Sequence, residues 1–131
     1  MPIAFRIDAS AGLVSSRATG ELLDGDLLDH QRRLREHPDF APHLNQLFDL
    51  RGATAARLST AAIRTLAERN PFGAGARRAF LVDSRLMFGM MRMYQILTAE
   101  MPDSLQVVFE DEAAARRWLG LDPERALDAG G

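Results

Sequence analysis

The sequence contains no cysteine and no lysine, and it has only one tryptophan and one tyrosine. Without cysteine there is no disulfide, no thiolate nucleophile and no Cys-based zinc site. Without lysine there is no phosphate-binding loop that ends in Gly-Lys-Ser or Gly-Lys-Thr. No apolar run reaches the roughly 18–20 residues of a membrane span, and residues 1–8 lack the layout of a signal peptide. These absences predict a cytoplasmic protein without a membrane span.

The remaining composition is that of a globular protein. Of 131 residues, 47% are hydrophobic and 26% are charged, and a chain of this size buries roughly two-thirds of its unfolded surface. The net charge of -2 gives no general attraction for nucleic acid, which we therefore do not expect as a partner. We expect one domain over residues 1–121 and a disordered tail of small and polar residues over residues 122–131.

Alternating and compact apolar segments predict five strands, over residues 3–8, 13–19, 44–50, 78–83 and 105–109. The first two are close enough in sequence to pair as an antiparallel hairpin. Arg51-Gly52 predicts a turn after the third strand.

Four segments with helical spacing separate or follow these strands. Their predicted N-terminal caps are Asp24 or Asp26, Ser59, Ser84 and Asp111. Their predicted ends are Pro38, Arg69, about Met101 before Pro102, and Gly120. Single helices between strands favour right-handed crossovers. The sequence therefore predicts an α/β fold with a single-layer, mixed, mostly parallel sheet of about five strands and four helices.

No group of residues forms a recognised catalytic or metal-binding motif. His30 and His37 lie seven residues apart on one predicted helix, about 10 Å along its axis, and His43 lies beyond two prolines, so we expect surface or turn histidines. Gly73-Ala74-Gly75 follows a helix and precedes a strand, the reverse of a dinucleotide-binding loop. We predict no enzymatic activity, no catalytic residue, no metal and no cofactor.

Ser59 and Thr60 stand at a predicted helix start, just beyond the carboxyl end of the third strand. Ligands of open α/β sheets bind at that edge, and a helix N-terminus favours a phosphate. Ser59 is thus either an ordinary capping serine or a phosphoacceptor.

The third predicted helix, which includes residues 86–97, is the most unusual segment because its opening turns are apolar almost all round. Three interpretations remain open: a deeply buried helix, a self-association face, or one wall of a pocket for an apolar ligand. Methionines with Phe72, Phe88 and Tyr94 would line such a pocket. Gly89 suggests that another group approaches the helix backbone closely. Arg85 and Arg92 would flank the pocket or bridge to carboxylates across a dimer.

These segments resemble a known family. The hairpin closing on Gly20-Glu21-Leu22 and the strand ending in residues 48–52 resemble sporulation anti-sigma-factor antagonists, the SpoIIAA-like domains of STAS and SEC14 type. Residues 84–97 with the run Gly-Met-Met-Arg-Met-Tyr, together with Val108-Phe109 and residues 115–119 (Ala-Arg-Arg-Trp-Leu), resemble short bacterial SpoIIAA-like proteins of unknown function. The resemblance covers about residues 3–121, and none of its motifs is catalytic.

The resemblance implies a regulatory role. The sequence differs from the family, however, at the segment that is phosphorylated in the antagonists. Phosphorylated antagonists carry Asp-Ser-Ser-Gly at the start of the second helix, where this chain has Arg57-Leu58-Ser59-Thr60. Ser59 falls at the phosphoacceptor position, whereas the preceding acidic residue and the glycine are missing.

We therefore expect a non-enzymatic regulatory or protein-interaction module that binds a protein partner or a second copy of itself. The predicted surface combines the segment 51–60 with the third helix and consists of Arg51, Arg57, Thr60, Arg85, Leu86, Met90, Arg92 and Tyr94. The alternative is a module of SEC14-like type that binds an apolar small molecule or lipid.

Overall fold

The computed structural model describes residues 2–99 and 105–123. The strands are β1 (Ile3–Asp8), β2 (Leu13–Leu23), β3 (Asn45–Arg57), β4 (Arg77–Leu81) and β5 (Leu105–Phe109). The helices are α1 (Asp24–Glu36), α2 (Thr60–Glu68), α3 (Arg85–Thr98) and α4 (Glu112–Trp118).

The five strands form one sheet in the order β1-β2-β3-β4-β5. β1 pairs antiparallel with β2, and the other three pairs are parallel. Each parallel pair is joined through a single helix, as the alternating sequence pattern requires. The predicted α/β class, mixed sheet and four helices are confirmed.

The helices cover the two faces of the sheet unequally. Side chains of α1, α2 and α3, among them Leu27, Ile63 and Met87, share a core with Phe48 and Phe80 of the sheet. Helix α4 packs on the opposite face, where Ala115 and Leu119 meet Leu47 and Ala79. Successive residues of a strand point to opposite faces, so β3 and β4 supply apolar side chains to both cores.

The turn predicted at Arg51-Gly52 is wrong, because β3 continues to Arg57. The extended part of β3 pairs with the long strand β2, which satisfies its backbone groups; Gly52 lies opposite Thr19. A Cβ atom at Gly52 would lie 3.3 Å from Thr19 Cγ2. The glycine therefore marks a close approach between two strands, next to a register shift in their pairing.

Three of the predicted helix caps are confirmed. The side chains of Ser59, Ser84 and Asp111 each accept a hydrogen bond from a backbone N–H in the first turn of the following helix. Gly120, the predicted stop of α4, has a φ of 78°, a left-handed conformation that glycine adopts without a steric penalty.

The cap predicted for α1 is wrong. Leu23 occupies the N-cap position, and the Asp26 carboxylate accepts a hydrogen bond from the Leu23 N–H at 2.8 Å. Asp24 instead accepts two hydrogen bonds from Ser59 at the start of α2.

Two predictions fall partly outside the described residues: the extension of α3 to about Met101, and the tail from residue 124 onward. Among the helices that are described, none has the length and apolar character needed to cross a membrane.

Candidate functional site

A cavity of about 40 Å³ lies between the sheet and helices α1, α2 and α3. Its apolar lining consists of Leu27, Leu34, Phe48, Ile63, Leu66, Pro71, Phe72, Phe80 and Met91, and its polar lining of His30, Gln31, Arg78 and Tyr94. Every lining residue except Pro71 is buried. The volume exceeds the ~10–15 Å³ that one water molecule needs, and it is well below the ~150 Å³ of an apolar cavity that binds benzene.

A chain of buried polar side chains runs beside this cavity. Arg78 Nε donates to Gln46 Oε1 at 3.1 Å, and Gln46 Nε2 donates to Ser16 Oγ at 3.1 Å. Ser16 Oγ lies 3.0 Å from Nε2 of His30. These four residues come from β4, β3, β2 and α1 and are all buried, so the chain crosses the core from one helix to the middle of the sheet.

Arginine fixes the orientation of the Gln46 amide in this chain. Because a guanidinium only donates, Gln46 must turn its carbonyl oxygen toward Arg78 and its amide toward Ser16. The Ser16 oxygen accepts from that amide, and the direction of its bond with His30 Nε2 depends on which ring nitrogen of His30 carries the proton. A serine hydroxyl donates one hydrogen bond and accepts two, so Ser16 suits either tautomer of a neutral His30.

The surroundings of His30 also favour the neutral ring. Burial, helped by the positive charges of Arg33 and Arg78, lowers the pKa of His30 from 6.5 to about 3. The ring packs against the rings of Phe5 and Phe48 at 5.6 and 4.9 Å. The prediction of a surface histidine is wrong for His30: its place in the helical stripe of Leu27 and Leu34 puts it in the core, where Ser16 satisfies it.

Arg78 is a buried cation, 6% exposed. Its guanidinium lies over the ring of Phe72 at 4.2 Å and near the rings of Phe80 and Tyr94, each at 5.3 Å. Nη1 donates to Tyr94 Oη at 2.7 Å and to Asn70 Oδ1 at 3.1 Å. Within residues 2–99 and 105–123 Arg78 forms no ion pair. Aromatic faces and neutral oxygens thus take the place of a carboxylate.

The predicted pocket residues do not all line the cavity. Phe72 and Tyr94 line the cavity, and Met91 is the methionine among its walls. Phe88 is instead part of the exposed surface. Tyr94, also assigned to the interaction surface, is buried because its position along α3 points at the sheet and its hydroxyl accepts from Arg78, so that assignment is wrong.

The other predicted residues of α3 lie on its outer side. Leu86 is 50% exposed, Met90 is half-buried, and Arg85 and Arg92 are exposed. Neither arginine lines the cavity. Apart from the neighbouring backbone of α3, no described atom lies within 4 Å of a Cβ atom built on Gly89, so no other part of the described chain makes the close approach expected at this glycine.

Ser59 is tied to Asp24 as well as to its own helix. Its backbone N–H donates to Asp24 Oδ1 at 2.8 Å, and its hydroxyl donates to Asp24 Oδ2 at 2.7 Å while accepting from the Ala62 N–H. A phosphate on this hydroxyl would face the Asp24 carboxylate at close range. Thr60, the first residue of α2, is exposed.

Arg51 lies on the opposite face of the sheet, away from α3. Its guanidinium donates to both oxygens of Asp49 at 3.0 Å and to Glu112 of α4 at 2.7 Å. Burial alone would raise the pKa of Asp49, but the hydrogen bonds and charge of Arg51 lower it overall. Arg51 therefore anchors α4 to the sheet, whereas Arg57 is exposed, 4.0 Å from Glu21. The predicted surface does not form one patch.

No three metal-ligating side chains come together in the described ranges. His37 is half-buried, with its ring 5.7 Å from that of Phe5, and His43 is exposed.

The polar chain was not predicted, although the sequence carries a signal for it. Gln46 and Arg78 lie on the strand faces that carry Phe48 and Phe80, and Ser16 is a polar residue within β2. A polar residue at an inward position needs a buried partner. The partners are 14 to 32 residues apart along the chain, so spacing alone does not pair them.

No protein-family model matches the chain, and no curated protein matches it. Among solved structures, the chain is similar to an uncharacterized protein of the DUF3478 family with a SpoIIAA-like fold from Shewanella loihica PV-4. The two superpose with a TM-score of 0.56 at 19% identity, over 89% of this chain and 93% of that one. The chain has a SpoIIAA-like fold, which confirms the resemblance seen in the sequence.

Proposed function

We propose that this chain is a non-enzymatic binding module that holds a small ligand in the cavity between the sheet and helices α1, α2 and α3. The observation that carries the proposal is a cavity with an apolar lining and a few fixed polar groups, the usual composition of a ligand site. Its volume of about 40 Å³ favours a molecule of a few heavy atoms over the lipid of a SEC14-type protein.

The position of the cavity differs from the usual one in open α/β sheets. Arg78, which lines the cavity, and its partner Gln46 are the second residues of β4 and β3, so Arg78 places the charged part of the wall toward the amino-terminal ends of these parallel strands. Ligands usually bind beyond the carboxyl ends. The helix starts at that other edge are already satisfied by Ser59, Ser84 and Asp111.

The test is a binding titration of small neutral molecules followed by NMR of the side-chain methyl groups. Propionamide and isobutanol are suitable probes. We expect shifts at Ile63, Leu66 and Met91 that saturate with concentration. Leu66→Phe fills part of the cavity and should abolish them. Leu86→Phe, the same change at an exposed position, should leave them unchanged. Saturable shifts that survive Leu66→Phe would contradict the proposal.

The outer side of α3 supports a second candidate, self-association. Leu86, Met90, Met93 and Leu97 are spaced by four, three and four residues, which places them side by side on one flank of the helix. Leu86 is 50% exposed, and Ile96 on the neighbouring outer stripe is 62% exposed. Such apolar exposure is typical of an interface.

Light scattering at increasing concentration tests this candidate. If a second copy covers α3, the wild-type chain is a dimer, and Leu86→Glu makes it a monomer. Ala61→Glu adds the same charge to the exposed side of α2 and should leave the dimer intact. A wild-type chain that stays monomeric at all concentrations would exclude the candidate.

A further inference from the structure

The polar groups that line the cavity are mostly donors without acceptors. Arg78 uses Nε and Nη1 in three hydrogen bonds, and Nη2 makes none with the described residues. The Tyr94 hydroxyl accepts from Arg78, and its proton has no acceptor in the same part of the chain. All of these groups belong to residues that are at least nine-tenths buried.

His30 adds another polar group to this wall. Its Nε2 is occupied by Ser16, and Nδ1 is a donor in the tautomer in which the Ser16 hydroxyl donates to Nε2. Nδ1 has no hydrogen-bond partner among residues 2–99 and 105–123. Gln31 contributes the carbonyl oxygen that remains after its amide donates to the Leu66 carbonyl at 3.0 Å. Donors therefore outnumber acceptors at the cavity wall.

The cavity wall also carries a positive charge. Arg78 is positive and buried, and no carboxylate of the described chain pairs with it. A buried charge without a counter-charge is costly, and pairing it with an ion that accepts hydrogen bonds recovers part of that cost. Apolar side chains from α1 and α2, such as Leu27, Ile63 and Leu66, surround the rest of the space.

From this arrangement we infer that the cavity recognises a short-chain monocarboxylate, whose carboxylate accepts hydrogen bonds from Arg78 Nη2, the Tyr94 hydroxyl and His30 Nδ1 while its apolar tail packs against Leu27, Ile63 and Leu66. The inference rests on the proposed function and adds the chemical class of the ligand. A carboxylate provides acceptors only, which matches a wall composed mainly of donors.

Propionate and propionamide are a matched pair for the test, because they share shape and size and differ in charge and in donor content. We expect the full-length protein to bind propionate at least about ten-fold more tightly than propionamide at pH 7, since hydrogen bonds to charged groups are the stronger ones. In Arg78→Met the two affinities should come within about three-fold of each other.

Arg78→Met removes a buried hydrogen-bonding group and must be checked for folding by circular dichroism. Leu66→Phe keeps Arg78 and its partners, and it should abolish the binding of both probes. Equal affinities of the wild-type protein for the two probes would overturn the inference and leave the proposed function standing. If neither probe binds, both the carboxylate site and the proposed function are overturned. If propionate binds Leu66→Phe as well as the wild type, the carboxylate site in this cavity is overturned.

Discussion

His30 shows how one side chain can make the stability of the whole core depend on pH. The folded protein holds the pKa of His30 at about 3, against 6.5 for the free side chain. Below pH 6.5 the unfolded chain takes up a proton that the folded chain excludes, so stability is complete above pH 6.5 and falls toward pH 3. Asp29, Arg33 and Arg78 are the charged groups that act on the ring.

We expect the free energy of unfolding to fall by about 2 kcal/mol between pH 7 and pH 5 because of this histidine, with a slope that approaches about 1.4 kcal/mol per pH unit only well below pH 6.5. Denaturant titrations at both pH values measure it. The decrease should be largely absent in His30→Gln and unchanged in His43→Gln, which alters an exposed histidine. An equal decrease in His30→Gln would show that His30 is accessible to protons in the folded state.

The Ser59 side chain makes a hydrogen bond that the other capping serine, Ser84, lacks among the described residues. Its hydroxyl caps α2 and also donates to Asp24, whereas the Ser84 hydroxyl only caps α3. Ser59→Ala should therefore cost more stability than Ser84→Ala, about 1–2 kcal/mol against about 1 kcal/mol.

A negative charge at Ser59 extends this comparison to phosphorylation. Ser59→Asp places a carboxylate beside that of Asp24, so it should destabilise the protein more than Ser84→Asp, which retains a capping oxygen at a helix N-terminus. Thermal unfolding of the two variants measures the difference. A Ser59→Asp protein as stable as the wild type would favour a phosphoacceptor role at this position.

At the scale of elements, α3 combines a buried side with an outer side that the described chain does not cover. Met87, Met91, Tyr94 and Thr98 face the core. Gly89 lies on the outer side, in open space and without a positive φ. Gly89→Ala should stabilise the monomer by about 0.5–1 kcal/mol, because alanine loses less backbone entropy in a helix.

Chemical denaturation of Gly89→Ala at low protein concentration tests this expectation. Gly20→Ala is the contrasting control, since Gly20 has a φ of 74° in β2 and a side chain there is strained; this variant should be destabilised. A loss of stability in Gly89→Ala would mean that the outer side of α3 is covered in solution.

Local patterns were sufficient to predict most elements. The spacing of apolar residues and the capping residues identified all nine helices and strands of the described ranges, because both signals act over a few consecutive residues. The extension of β3 beyond Leu50 was missed, because pairing with β2 decides it and the Arg-Gly dipeptide is equally typical of a turn. The first residues of α1 were also misassigned, because Asp24 bonds across to α2.

At the scale of the whole molecule, the candidate site depends on contacts between distant segments. Ser16, His30, Gln46, Arg78 and Tyr94 come from five different elements, and each alone is an ordinary residue in its segment. The sequence indicated a ligand-binding alternative through Phe72, Tyr94 and the methionines of α3, of which Met91 lines the cavity. It could not indicate that Arg78 is the charged group of the site, since its burial follows from tertiary packing.

The proposed function requires space in the core beside Arg78 that a small molecule can enter. The most direct measurement is methyl NMR of the wild-type protein under xenon pressure, because xenon enters apolar cavities without needing a polar partner. We expect saturable shifts concentrated at Leu27, Ile63, Leu66 and Met91, and none of that size at the exposed Leu86. Shifts confined to the outer side of α3, or no saturable shift at all, would contradict the account.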